Sequence, residues 1–137
     1  MRKMILSLLS GVALSLALSV GVAAQQAEIE GTITSQIDAF RADDFDRAFT
    51  YASPLLQRLF QTPQNFERMV TQGYPMVWRP SQVDYLELQE YAGDWWQKVQ
   101  IIDQKGARHL LLYRMQQTDA GWRIAGVQIL EAPPPTV

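Results

Sequence analysis

The 137-residue sequence contains no cysteine. That excludes disulfides, thiolate metal sites, a cysteine nucleophile and a lipid-modified cysteine at an export site. Histidine occurs once, at His109, so a histidine-rich metal centre is excluded as well. Lys and Arg number 12 against 14 Asp and Glu. This balance argues against nucleic acid, whose binding needs a basic surface to release phosphate counterions. No Gly-rich phosphate loop, Gly-x-Ser-x-Gly elbow or His-Glu-x-x-His pair occurs. Asp43, Asp44 and Asp46 lie close together, but the other oxygen ligands and the glycine bend of a calcium loop are missing. They read as the start of a helix, and no metal or other cofactor is implied.

What is present begins with an export signature. Arg2 and Lys3 precede an uncharged apolar run from Ile5 to Val22, and Val22-Ala23-Ala24 offers the small residues that a signal peptidase reads. Polar Gln25-Gln26 follows at once. These features predict a cleavable signal peptide over residues 1–24 and a periplasmic product. The apolar run, about 18 residues, sits at the lower limit for an uncleaved anchor. Cleavage removes two positive charges and no acid, which makes the net charge of −2 more negative. No basic amphipathic helix remains to hold an anionic membrane. Residues 25–132 suit a single domain, and Pro133-Pro134-Pro135 opens a stiff tail, 133–137, expected to be disordered.

The first half of that domain reads as helices. Ile29, Ile33, Ile37 and Phe40 form one apolar stripe over Ala27 to Arg41, with Glu30, Thr34, Gln36, Asp38 and Arg41 facing elsewhere. Gly31 inside it costs about 1 kcal/mol relative to alanine. A short helix runs from Asp43 or Asp44 to Ala52. Ser53-Pro54 and Thr62-Pro63 each supply a capping hydroxyl followed by a proline in the first turn. The second of these starts a helix over Gln64 to Gln72, with Gly73 expected as its left-handed cap. Tyr74 to Pro80 carries two prolines that forbid a regular helix, and reads as a connection dense in aromatic and apolar residues.

The second half reads as four strands, Gln82 to Glu90, Trp95 to Asp103, Arg108 to Gln116 and Trp122 to Leu130. The loops between them are short, which predicts an antiparallel meander. Helices grouped before strands indicate an α+β fold with the N-terminal helices packed on one face of the sheet. Period-two alternation places Gln97, Val99, Ile101, His109, Leu111, Tyr113 and Met115 on one face, continued by Trp122, Ile124, Gly126, Gln128 and Leu130. This face lacks Lys and Arg and is assigned to the core. The other face keeps Leu110, Leu112, Val127 and Ile129, which would also make a good core. A one-residue bulge would exchange the two sets. An outer face so apolar invites a partner, most simply a second copy of the chain.

Gly-Tyr-Pro-Met-Val-Trp-Arg-Pro at 73–80 and Gly-Trp-Arg-Ile-Ala-Gly-Val-Gln-Ile at 121–129 resemble the proteobacterial family called domain of unknown function 4864. The resemblance runs over roughly Glu30 to Ala132. It implies the cone-shaped α+β fold of the wider nuclear transport factor 2-like superfamily, in which helices cover a strongly curved four-stranded sheet and leave a pocket. It implies no activity. The superfamily holds isomerases, dehydratases and cyclases beside many non-catalytic binding domains, and fold does not choose among them.

Gln97, Tyr113 and Gln128 place polar groups on the assigned core face, where each needs a partner. Apolar walls with a few converging polar groups make a small-molecule site, and Tyr74, Trp78 and Arg79 would form its mouth. A hydrogen-bond network that fixes strand register is the plainer alternative. His109 reads as a histidine at the rim or in the core with a satisfied hydrogen bond, or more sharply as a general base. No acidic residue lies on the inner face of the last three strands, and only one of Asp84 and Glu87 has inward parity. No catalytic residue is therefore assigned. The expected function is non-catalytic binding of a small apolar or amphiphilic ligand, or of a protein partner, with self-pairing through the outer sheet face. The alternatives are a small isomerase- or lyase-like enzyme using Tyr113 with His109 or a first-strand carboxylate, and a structural accessory subunit.

Overall fold

A computed structural model describes residues 2–130, with side chains from residue 21 onward. The expected Pro-rich tail lies outside the described residues, and so do most side chains of the expected signal peptide. Five helices precede four strands: α1 (Arg2–Arg41), α2 (Phe45–Thr50), α3 (Pro54–Phe60), α4 (Pro63–Gly73), α5 (Pro75–Trp78), β1 (Gln82–Tyr91), β2 (Asp94–Ile102), β3 (Arg108–Thr118) and β4 (Gly121–Leu130). The strands pair antiparallel in the order β1-β2-β3-β4, so the α+β class and the meander are as the residues predict. Among the described residues no helix is long and apolar enough to cross a membrane.

Local chemistry sets the helix boundaries. Asp44, Ser53 and Thr62 each accept a hydrogen bond from the backbone N–H three residues on, and Pro54 and Pro63 occupy first-turn positions. Two expectations are corrected. Gly73 is the last residue of α4 and not a left-handed cap; Tyr74 caps the helix, its N–H donating to Val70 O at 2.8 Å. Tyr74 to Pro80 is not wholly irregular, because Pro75 fits the first turn of α5, a single helical turn. The left-handed reversal between α1 and α2 falls at Asp43, with φ of 55°.

The stripe of α1 docks as expected, with Ile29, Ile33, Ile37 and Phe40 all buried. It packs with Phe45, Ala48 and Phe49 of α2 and Phe66 and Val70 of α4 over the inner sheet face of Val99, Ile101, Leu111, Tyr113, Met115, Trp122 and Ile124. Two backbone bonds fasten the α2–α3 junction to β4. Ser53 N–H donates to Ile124 O and Ile124 N–H donates to Tyr51 O, both at 2.8 Å. They pair part of an edge strand that would otherwise be open.

Two bulges interrupt the alternation. Tyr85 faces Val99 and Leu88 faces Gln97, so Leu86 and Glu87 together oppose Lys98. On β4, Arg114 faces Gly126 but Met115 faces Ile124, which leaves Ala125 as the extra residue. Beyond it the parity of β4 inverts. Val127 stands opposite Tyr113 on the inner face, and Gln128 stands opposite Leu112 on the outer one.

Gly31 lies in regular helix with nothing within 4 Å of where a Cβ would stand. Gly31→Ala is therefore expected to stabilise the domain by about 1 kcal/mol, measured by urea denaturation. A destabilised variant would mean that α1 is not helical at this position.

Candidate functional site

The helices do not fill all the space above the sheet. A cavity of about 280 Å³ lies between α1, α3, α4 and the β3–β4 pair. Phe40, Phe60, Phe66, Met69 and Val127 are among its apolar lining residues, and Leu56 lines it from α3. Tyr113 lies at its base, only 1 % exposed. Burial pushes its phenol well above the ordinary tyrosine range, with smaller contributions from Tyr85 and Tyr74, so the hydroxyl stays protonated. Among the described residues no group hydrogen-bonds to it.

Tyr74 is the second expected residue that the structure brings to this cavity. Its hydroxyl donates to Val127 O at 3.2 Å and ties the end of α4 to β4 just beyond the Ala125 bulge. Gln36 also lines the cavity, although the sequence reading turned it away from the core. It is 4 % exposed, and its Nε2 donates to Ala48 O at 3.2 Å. The signal was available: Gln36 follows Ile33 by three residues and precedes Phe40 by four, which places all three on one helix face.

The other expected site residues go elsewhere. Gln97 is fully buried but does not line the cavity. Its Nε2 donates to Leu86 O at 3.1 Å and to Lys98 O at 2.9 Å. The side chain thus satisfies a carbonyl displaced by the β1 bulge and fixes strand register. Gln97 Oε1 and Trp122 Nε1 are buried without a partner among the described residues. Gln128 is exposed on the outer face, a correction that follows directly from the Ala125 bulge.

Trp78 and Arg79 are not at the cavity mouth. Trp78 Nε1 and Arg79 Nη2 both donate to Asp43 Oδ1, at 2.9 and 2.7 Å, and Arg79 Nη1 donates to Phe40 O at 2.8 Å. The guanidinium also stacks 4.5 Å from the centre of the Trp78 ring. These contacts clamp α5 to the end of α1. Trp78 and Arg79 instead edge a second cleft of about 340 Å³, shared with Met76, Lys105 and His109. There His109 Nε2 bonds to Asp103 Oδ2 at 2.8 Å, and Asp103 Oδ1 accepts from the Lys105 and Ala107 N–H groups at 2.9 Å. His109 thus secures the β2–β3 turn and does not meet Tyr113 in one cavity.

The carboxylates proposed as its partner also lie outside. Asp84 stands opposite Gln100 on the outer face. Glu87, displaced by the bulge, reaches Lys98 at 4.0 Å. Tyr113 with His109, or with a first-strand carboxylate, is therefore not an assembled pair. Among the described residues no cluster of three metal-ligating side chains occurs.

A family model described as a domain of unknown function (DUF4864) matches residues 22–137. No curated protein matches the sequence. Among solved structures the chain is similar to an NTF-2 like protein of unknown function from Burkholderia xenovorans LB400. The two are 14 % identical, the match covers 80 % of this chain and 91 % of that one, and the TM-score is 0.46.

The Asp43 and Asp103 carboxyls are both held below the ordinary value of 3.8. The first is lowered by the Trp78 and then the Arg79 hydrogen bond, the second by His109 and then the Ala107 N–H. A depressed folded value contributes stability in full above 3.8, and that contribution is lost as pH falls through the folded value. The Asp43→Asn, Asp103→Asn double variant should therefore lose less stability than the wild type between neutrality and roughly pH 3, followed by circular dichroism. Parallel pH profiles would contradict both contacts.

Proposed function

The chain belongs to the family described as a domain of unknown function (DUF4864), which carries no assigned activity, and we propose from its geometry that it is a binding domain holding a small apolar or amphiphilic molecule between its helices and its sheet. The observation that carries this reading is Tyr113, 1 % exposed and lining an apolar cavity, whose hydroxyl has no hydrogen-bond partner among the described residues. A hydroxyl that reaches the cavity with its O–H uncommitted can donate to an acceptor on a ligand that fills the space. Apolar walls around a few polar groups are the usual composition of small-molecule sites.

The access route runs past α3. That helix contributes no fully buried residue. Leu56 and Phe60 face the cavity, while Leu55 and Leu59 are 58 % and 68 % exposed on its other side. A wall with so little burial is the one that opens at least cost.

Export is part of the proposal. Residues 21–24 are all exposed, and the first buried side chain among the described residues is Ile29. A cut after Ala24 leaves the core whole. A periplasmic product whose N-terminal residue is Gln25 supports this. A chain retaining Arg2 in the mature protein refutes it.

Self-association through the outer sheet face is a second proposal. Trp96, Ile102, Leu110, Leu112 and Leu130 are only half-buried there, apolar positions spread over the three paired strands β2, β3 and β4. Leu112→Glu should give a monomer in sedimentation where the wild type is a dimer, and a monomeric wild type ends this part of the reading.

For ligand binding itself, native mass spectrometry of protein purified from the periplasm is expected to show a retained small molecule. Leu56→Trp should fill the cavity from α3 and abolish that retention, at about 1–3 kcal/mol of overpacking, with an unchanged circular dichroism spectrum. Retention undiminished in this variant would place the ligand elsewhere.

A further inference from the structure

None of the residues lining the apolar cavity is Asp, Glu, Lys, Arg or His. An anion or a cation entering it would give up its hydration without meeting a counter-charge, which is strongly unfavourable. The polar groups present are few. The Tyr74 hydroxyl is committed to Val127 O, and one Gln36 amide hydrogen to Ala48 O. The Tyr113 hydroxyl is committed to nothing among the described residues, and its burial keeps it in the protonated, donating form. A pure hydrocarbon would fit the walls but leave that O–H unpaired.

The aromatic side of the cavity adds a preference for shape. Phe66 lies 5.9 Å from Phe40 and 5.8 Å from Phe60, centre to centre. A further flat ring can join such a cluster in the offset or edge-to-face arrangements that aromatic pairs prefer.

We infer that the cavity selects an uncharged, mainly apolar ring-containing molecule with one carbonyl-type acceptor, which takes its hydrogen bond from Tyr113; this rests on the cavity being a ligand site. Gln36, with one amide hydrogen and its carbonyl oxygen uncommitted, meets a second polar group where the ligand has one; the Tyr74 hydroxyl, its hydrogen given to Val127 O, can only accept.

Three naphthalenes of one shape test this by equilibrium dialysis of the whole protein: 2-acetylnaphthalene, 2-ethylnaphthalene and, at pH 8, 2-naphthoate. The ketone should bind roughly five- to tenfold more tightly than the hydrocarbon, the advantage of one neutral hydrogen bond. The carboxylate should bind most weakly. In Tyr113→Phe the ketone should fall to the affinity of the hydrocarbon while the hydrocarbon stays unchanged, which also shows that the variant keeps its cavity. Ketone and hydrocarbon binding equally to the wild type, or naphthoate binding most tightly, would overturn the assigned ligand class and leave the cavity a binding site. Failure of all three to bind would overturn the binding reading as well. The wild-type ratio decides the matter even if Tyr113→Phe does not fold.

Discussion

The two hydrogen bonds that join Ile124 to Tyr51 and Ser53 are the constraint on which the rest of the structure turns. They hold the α2–α3 junction against the sheet edge, directly beside the point where β4 changes parity. Ala125 is left over in the register with β3, so Ile124 and Val127 both face the helices although they are an odd number of positions, three, apart. A regular strand would put Gln128 there and close the space differently. The fastened junction keeps α3 to one side, and the bulge turns Val127 toward Tyr113. The cavity is what lies between.

That arrangement separates packing from chemistry. The Ile29–Phe40 stripe, the phenylalanines of α2 and α4 and the middle of β2 and β3 form a closed core. Two polar side chains inside this core serve the fold: Gln97 Nε2 repairs the β1 bulge and Ser53 caps α3. At the far side, Asp43 gathers Trp78 and Arg79, and Asp103 gathers His109. These knots set where α5 and the β2–β3 turn lie, away from the Tyr113 hydroxyl.

Much of the fold was legible because it is local. A hydroxyl before proline marks the starts of α3 and α4, and the spacing of Ile29, Ile33, Ile37 and Phe40 marks the buried face of α1. Gly93, Gly106 and Gly121 mark the hairpins, each with positive φ. Alternation on β2 and β3 placed Gln97 and Tyr113 inside correctly. What failed depends on tertiary pairing. No residue pattern announces the Ala125 bulge, so Gln128 was placed on the wrong face. The Leu86–Glu87 bulge removed the one carboxylate with inward parity. His109 shares a strand face with Tyr113 but sits at the start of β3 while Tyr113 is at its middle, so alternation could not reveal that they line different clefts. Tyr74, Trp78 and Arg79 are neighbours in sequence, yet the single turn of α5 sends Tyr74 to the cavity and the other two to Asp43.

The central claim is physical: an unfilled apolar space adjoins the Tyr113 hydroxyl, held open by the β4 bulge. Xenon occupies dry apolar cavities, so methyl NMR of the protein under xenon pressure tests the claim without assuming any ligand. The account predicts saturable shifts of the Met69, Ile124 and Val127 methyls, with those of Ile33 and Leu110 unmoved. Equal, non-saturating shifts over all methyls would mean that side chains fill the space and that the cavity does not exist in solution.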